Sequence, residues 1–141
     1  STQERLMPSI QNLVLTDRAA TPVNHTFTPN DVKGGVGSVV ESNGTRVGDR
    51  TFTISGRASP VSNRWNAKLK LVSPVIGSQI ENGITKTVVL RTSFATVDFS
   101  FPADSTLQER KDLVGMLQSA LDPAKVLVND TVIGQQGVYG S

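Results

Sequence analysis

Alternating apolar and polar residues mark two neighbouring strands in the middle of the chain, residues 51–57 and 66–71. Successive side chains of a strand point to opposite faces, so each run separates into two surfaces. One surface takes the apolar residues Phe52, Ile54, Ala67, Leu69 and Leu71. The other takes Thr51, Thr53, Ser55, Arg57, Asn66, Lys68 and Lys70. The pattern predicts a sheet with one packed face and one polar face.

Turn residues, among them Asn43-Gly44 and Asn82-Gly83, divide the first hundred residues into short runs rich in Val, Ile, Thr, Phe and Leu. Such spacing is typical of an antiparallel meander. The predicted strands are Ile10 to Thr16, Asn24 to Thr28, Val36 to Glu41, Arg50 to Arg57, Asn66 to Val72 and Val88 to Phe101. A separate strand at Val88 to Leu90 is the alternative for the last of them.

The hydrophobic period changes after Pro102. Ser105 to Gln108 has the pattern of a capping box, which predicts a helix start. An apolar stripe then follows at three- and four-residue spacing, and a second, shorter helix is predicted from Ala124 to Val128. The stripe consists of Leu107, Leu113, Val114, Leu117, Ala120 and Leu121.

The order of these elements predicts an α+β fold. It has an N-terminal β-hairpin at about residues 8–29 and a five-stranded antiparallel meander sheet at 34–101. Two C-terminal helices follow at 104–129. A chain of 141 residues is of ordinary size for one domain, so we predict a single domain over 1–141.

Charge is unevenly distributed along the chain. The formal net charge is +2 and the isoelectric point about 9.2. Between residues 46 and 72 there is one acid, Asp49, and six bases. The bases are Arg46, Arg50, Arg57, Arg64, Lys68 and Lys70. A polar sheet face with hydroxyl groups and positive charge suits a polyanion such as nucleic acid. The alternative is a solvated outer surface, on which Lys and Arg are common.

Other chemistry finds little support. The chain has no cysteine, and its single histidine, His25, has no second ligand type nearby, so a surface or packing role is predicted. Asp31 lacks calcium-loop spacing, and Gly34 to Gly37 is not followed by a phosphate-binding helix. No nucleophile and base pair is evident. We therefore expect neither a cofactor or metal nor enzymatic activity. Without a membrane-length apolar run or a signal segment at Ser1 to Arg5, a soluble protein made in the cytoplasm is expected.

The predicted sheet also poses a burial problem. One helix of about four turns and a short one are a small cover for a meander this wide. A symmetric dimer, with two sheets joined edge to edge and each helix pair lying across the partner's sheet, would cover both and remove an exposed edge.

Three stretches resemble the coat proteins of the single-stranded RNA bacteriophages, the levivirus type. They are Asn63-Arg64-Trp65-Asn66-Ala67-Lys68-Leu69-Lys70, then Thr96-Val97-Asp98-Phe99-Ser100-Phe101 with the following Ser/Thr-x-x-Glu-Arg helix start, and Gly137-Val138-Tyr139. Their order and spacing match the family from about Gly34 onward.

The resemblance implies a virion protein. The family forms an obligate, intertwined dimer whose ten-stranded sheet faces the interior of an icosahedral shell, with the helices outside. The protein is made in the bacterial host cytoplasm. Its sheet binds a stem-loop of the viral RNA, which packages the genome and represses translation of the replicase. The alternative is a non-viral translational regulator that binds RNA on an open sheet.

The resemblance also implies site residues. The RNA-facing positions fall on Thr53, Ser55, Arg57, Asn63, Asn66, Lys68, Phe94 and Thr96, and Lys70 shares their polar face. Phe94 stands where better-known members have a tyrosine that stacks on a loop base. Trp65 replaces a usual lysine, and its indole would be able to stack on a base. Asp98 is expected to pair with Lys68 or Lys70.

One loop is implied to act in shell assembly. Ile76 to Lys86 corresponds to the family's loop around the five-fold and three-fold axes. Gly77, Asn82 and Gly83 predict a mobile, turn-rich connection. The loop has no cysteine for the inter-subunit disulfides that some members use.

Overall fold

A computed structural model describes residues 9–42 and 46–140. The strands are β1 (Leu13–Thr16), β2 (Asn24–Lys33), β3 (Val36–Glu41), β4 (Arg50–Ser59), β5 (Arg64–Glu81) and β6 (Ile84–Pro102). The helices are α1 (Leu107–Ala120) and α2 (Val126–Val132), and a short 3₁₀ helix spans Arg46–Gly48. The turn signal Asn43-Gly44 and the segment Ser1 to Arg5 lie outside the described residues.

The strands form one six-stranded antiparallel sheet in the order β1-β2-β3-β4-β5-β6. The predicted α+β class and the order of its elements are confirmed. A register shift between Pro29 and Asp31 divides β2. Residues 24–27 of β2 pair with β1 as the predicted hairpin, and β2 pairs with β3 from Thr28 to Lys33 across this shift. Proline has no backbone N–H to donate, which is why it is found where a ladder is interrupted.

The chain divides into two compact units, one ending at Ser100 and one beginning at Phe101. The first holds the sheet apart from the last two residues of β6, and the second holds both helices. That the two units form a single domain with the bounds given above remains a prediction.

The segment Ile76 to Lys86 is not the mobile loop that its glycines predicted. β5 continues to Glu81, β6 begins at Ile84, and only Asn82 and Gly83 form the turn between them. Their φ angles of 53° and 76° are both positive, as a two-residue hairpin turn of type I′ requires. The pairing of β4 with β5 ends at Thr51 and Val72. The hairpin therefore extends past β4 as an arm, which we call the β5–β6 arm.

The packed side of the sheet, the apolar face, follows from the strand register. Leu13 lies opposite Phe27, Val39 opposite Phe52, and Ile54 opposite Leu69. Phe27 and Val39 are each 2% exposed and are the buried large hydrophobic residues of the described chain. Ile54, farther along the same face, is 44% exposed. Among the described residues of the sheet, burial of large apolar side chains is thus confined to the end of the apolar face near the N-terminal hairpin.

Helix α1 starts one residue later than its pattern predicted. Thr106, not Ser105, is the N-cap: its hydroxyl accepts a hydrogen bond from the Glu109 backbone N–H at 3.2 Å. The Glu109 carboxylate accepts one from the Thr106 N–H at 2.8 Å, which completes the capping box. Ser105 is engaged elsewhere, because the Arg110 guanidinium donates to its carbonyl oxygen and its hydroxyl. Glutamate at the third helical position also carries a charge that favours the helix N-terminus.

The apolar stripe of α1 is not covered within this chain. None of the residues of α1 is buried, and Leu107 and Val114 are 60% and 43% exposed. Helix α2 likewise has no buried residue. Burial of the stripe against the partner's sheet, as expected for a dimer, remains a prediction. Neither described helix is long and apolar enough to cross a membrane.

Candidate nucleic-acid interface

Three cross-strand pairs between β4 and β5 bring most of the predicted site together. Thr53 lies opposite Lys70, Ser55 opposite Lys68, and Arg57 opposite Asn66. Directly opposed residues of an antiparallel pair share one face, with Cβ atoms about 4.5–5.5 Å apart. The six side chains therefore form one continuous surface, on the opposite side of the sheet from Phe52 and Ile54.

Strand β6 adds an aromatic ring and a hydroxyl to this surface. The Lys70 Nζ lies 5.4 Å from the centroid of the Phe94 ring. Arg64 lies six residues before Lys70 on β5, and Ser100 lies six residues after Phe94 on β6. The Arg64 Nε donates a hydrogen bond to the Ser100 Oγ at 2.8 Å. Equal spacing on the two strands indicates one antiparallel register, and alternation then places Thr96 on the same side as Phe94. The polar face is defined here as Thr53, Ser55, Arg57, Asn66, Lys68, Lys70, Phe94 and Thr96.

The positive charges of the polar face have no acidic partner among residues 9–42 and 46–140. Arg57, Lys68 and Lys70 are exposed, and among the described residues no carboxylate lies within ion-pair distance of them. The predicted pair of Asp98 with Lys68 or Lys70 is absent from the ion pairs of the described residues. Three cations beside hydroxyl groups are therefore open to an anionic partner.

Phe94 offers a large exposed ring at the centre of these charges. Its side chain is 66% exposed, whereas Val97 and Phe99, at the opposite parity of β6, are half-buried. An ammonium group within about 6 Å of a ring centroid is attracted to the ring. Lys70 thus places a cation next to the one surface of the polar face on which a base is able to stack.

Asn63 is not part of the strand surface. It lies in the turn between β4 and β5, where its φ of 55° is left-handed and its backbone N–H donates to the Ser59 carbonyl at 3.1 Å. Asparagine tolerates this conformation better than most residues. The structure therefore places Asn63 at the end of the polar face, beyond the Arg57 and Asn66 pair.

Trp65 lies on the opposite side of the sheet from the polar face. It is opposite Ala58 in the register, and both have the parity of the apolar face. Its indole packs over Gly56, where a Cβ atom would lie 2.7 Å from the Trp65 Cζ2. The strand therefore turns the indole away from the polar face, and the polar parity falls on Asn66, Lys68 and Lys70. Stacking of Trp65 on an RNA base remains a prediction.

Substitution of Gly56 tests this packing. We expect Gly56→Ala to displace the indole, because its new Cβ atom has no room beside the ring, at a cost of about 1–3 kcal/mol. Trp65 is the single tryptophan, so its fluorescence reports the displacement directly. Gly37→Ala is the matched control, since its Cβ would meet the Ile10 Cδ1 at an ordinary 3.5 Å. Identical emission spectra in the two variants would contradict the packing.

Arg50 also lies on the apolar side, although the charge count grouped it with the basic cluster. It is opposite Glu41, and its Nη1 donates to the Glu41 Oε1 at 2.6 Å. Its position in β4 has the parity of Phe52, so its charge points away from Lys68 and Lys70.

Two residues that the sequence did not assign belong beside the polar face. Ser38 of β3 lies opposite Thr53, which extends the row of hydroxyl groups by one strand. Arg64 lies opposite Ser59 and is held by the hydroxyl and the carbonyl oxygen of Ser100. The alternation of residues within β3 indicates on which side of the sheet Ser38 lies. The contact of Arg64 with Ser100 depends on how β5 and β6 pair, which no local sequence pattern gives.

Comparison with known proteins places this fold. The sequence model of the levivirus coat protein family matches residues 8–139. The capsid protein of Pseudomonas phage PRR1 is 52% identical over 130 residues, which are 92% of this chain and 98% of that protein. The structures of the virus-like particle of bacteriophage NT-214 and of the bacteriophage GA capsid each superpose with a TM-score of 0.79. Their identities are 24% and 23%, and each comparison covers 94% of this chain and 100% of the other.

A meander sheet followed by two helices, together with these relatives, defines a structural protein of a viral capsid, not an enzyme. The chain belongs to the levivirus coat protein family. Its place is therefore the bacteriophage virion, and the alternative of a non-viral regulator is set aside.

Proposed function

We propose that this coat protein binds a stem-loop of its viral RNA on the polar face. Binding there packages the genome and represses translation. The observation that carries the proposal is the polar face itself: three unpaired cations, neighbouring hydroxyl groups and an exposed Phe94 ring on one sheet surface. Cations hold the phosphate backbone, and an aromatic ring gives an unpaired base a stacking surface.

Roles within the site follow from chemistry. Arg57, Lys68 and Lys70 contact phosphates, and Thr53, Ser55, Asn66 and Thr96 supply hydrogen bonds to bases, sugars or phosphates. Phe94 stacks on one loop base, and Asn63 contacts the RNA at the end of the face. A hairpin suits this division, because its stem presents phosphates while its loop presents unpaired bases.

The working unit in this proposal is a dimer. Strand β6 is an edge of the sheet and, with 19 residues, a long one. Long unpaired edges invite pairing with another chain. Two meanders joined along β6 give the ten-stranded sheet, and the exposed stripes of α1 gain a cover on the partner's apolar face. Such dimers assemble into an icosahedral shell with the polar face inside.

Lys68→Ala tests the phosphate contacts. We expect the variant to bind all RNAs more weakly and to lose about one unit from the slope of log affinity against log salt, because one cation fewer displaces counterions. Lys111→Ala, which removes a lysine from helix α1, is the control and should leave the slope unchanged. Filter binding of dimers at several salt concentrations measures both. Equal slopes for Lys68→Ala and wild type would contradict the assignment.

The β5–β6 arm is proposed to act in shell assembly and not in folding of the dimer. Beyond Val72 it has no pairing with β4, and Ile80 and Ile84 near its tip are 73% and 62% exposed. Deleting residues 79, 80, 85 and 86 shortens both strands by an even number and keeps the turn and the alternation. We expect intact dimers with altered or absent shells, seen by size-exclusion chromatography and electron microscopy.

A variant of unchanged length, with serine at positions 80 and 84, is the control for the arm. If contact between subunits depends on the apolar tip, this variant also assembles poorly while folding normally. Failure of the shortened variant to form dimers would place the arm in the core instead.

A further inference from the structure

A row of charged side chains crosses the apolar side of the sheet near the N-terminal hairpin. His25 on β2 contacts Glu41 on β3, with 2.6 Å between Nδ1 and Oε2. Glu41 also accepts a hydrogen bond from Arg50 on β4 at 2.6 Å, and Arg50 donates to the Ser73 hydroxyl on β5 at 3.2 Å. Four neighbouring strands are thus linked by side chains.

Asp17 connects this row to the start of the chain. Its Oδ2 lies 2.7 Å from the His25 Nε2. Its Oδ1 accepts hydrogen bonds from the backbone N–H groups of Ala19 and Val23 at 3.1 and 3.0 Å. The carboxylate therefore orders the connection between β1 and β2 and fastens it to the imidazole.

The geometry of His25 requires a particular charge state. A carboxylate accepts hydrogen bonds and donates none, so each ring nitrogen of His25 must carry a proton. A neutral imidazole has one N–H and satisfies only one of the two carboxylates. The charged groups facing the ring are Asp17 and Glu41, with Arg50 reached through Glu41. The side chain of His25 is 22% exposed, so protons exchange with solvent while water screens the pair only in part.

We propose that His25 is a protonation-controlled clasp that joins Asp17, at the end of β1, to Glu41 on β3, closed when the imidazole is charged and loosened when it is neutral. Loss of the proton breaks one of the two contacts. Glu41 keeps Arg50 as a partner and Asp17 keeps the Ala19 and Val23 N–H groups, so whichever contact is lost, the imidazole no longer joins Asp17 to Glu41 and the end of β1 loses its link to β3.

The direction of the pH dependence follows from three groups. The hydrogen bonds to Asp17 and Glu41 raise the pKa of His25 above its usual 6.5. The stabilisation is complete below pH 6.5 and is lost as the pH rises through the raised value. The Val23 N–H, His25 and the Ala19 N–H lower the pKa of Asp17 to about 2. Partial burial alone would raise the pKa of Glu41, but hydrogen bonds from Arg50 and His25 outweigh it and lower the value. The clasp therefore opens on the alkaline side and, separately, in strong acid.

The test is a titration of the imidazole by nuclear magnetic resonance, which is unambiguous because His25 is the single histidine. We expect its pKa to lie above 6.5 in the full-length protein and to fall in Asp17→Asn. Asp31→Asn, which removes an exposed carboxylate from the same strand outside the row, should leave it unchanged. A pKa at or below 6.5, or equal values in Asp17→Asn and wild type, overturns the proposal.

Amide hydrogen exchange, corrected at each pH for the intrinsic rate, measures the clasp itself. Protection of Leu13–Thr16 should fall as the pH passes the measured pKa of His25, while protection in the paired core of β4 and β5 stays constant. In His25→Gln, which carries no charge, protection of Leu13–Thr16 should be low and independent of pH. Protection of that strand that is equal at pH 6 and pH 9 in the wild type overturns the proposal.

Discussion

The denaturation midpoint of this protein is expected to rise with protein concentration if the folded unit is the dimer proposed above. The single chain buries two large hydrophobic residues of those described, and its helices bury none. Such a chain cannot offset the loss of conformational entropy on its own. For a dimer that unfolds to separate chains, each tenfold dilution costs about 1.4 kcal/mol of apparent stability.

Denaturant titrations over two decades of concentration measure this effect, after any shells have been dissociated. Leu121→Ser makes a useful companion, since it alters the apolar stripe at the C-cap of α1 and changes no residue of the sheet. We expect that variant to need a higher concentration for the same midpoint. A midpoint independent of concentration in the wild type would show that the monomer folds alone.

Phe94→Ala is expected to weaken binding of a hairpin with an unpaired loop base by about 1–3 kcal/mol, the usual contribution of one stacked base. Because the lost interaction is not ionic, the salt slope should change little, in contrast to Lys68→Ala. The ring is 66% exposed, so its removal should leave the dimer folded.

Two further substitutions separate stacking from simple burial at this position. Phe94→Leu keeps an apolar side chain of similar size but no ring, and should bind as weakly as Phe94→Ala. Phe94→Tyr keeps the ring and should bind at least as well as the wild type, because its hydroxyl is able to reach a phosphate. If leucine restored full affinity, Phe94 would act by packing and not by stacking.

Strand alternation carried much of the sequence's information about the site. In β4 and β5 the apolar parity was continuous, from Phe52 to Ile54 and from Ala67 to Leu71, so a one-residue slip of either strand would bury charge. The register then brought Thr53, Ser55 and Arg57 opposite Lys70, Lys68 and Asn66, as one polar surface requires.

Other features depended on contacts that no local pattern contains. In the sequence Arg50 belongs to the basic cluster, and only the strand register shows that it lies opposite Glu41. In the sequence Trp65 is a candidate for base stacking, and only the structure shows that its indole packs over Gly56. The arm was misread because glycine marks turns in general, whereas only Asn82-Gly83 forms one and Gly77 lies within β5, against Leu90. The N-cap of α1 is Thr106 and not the predicted Ser105, whose hydroxyl accepts a hydrogen bond from Arg110. The spacing of hydroxyl residues in the sequence does not indicate this contact.

Photo-crosslinking is the most direct test of which sheet face binds RNA. Phe94 and Trp65 are exposed aromatic residues, 66% and 45%, on opposite faces of the same sheet. A hairpin with 5-bromouracil in its loop, bound to intact dimers and irradiated, should crosslink to Phe94 or to a neighbour on the polar face, identified by mass spectrometry. Crosslinks at Trp65, with none on β6 or at Lys68 and Lys70, would contradict the account.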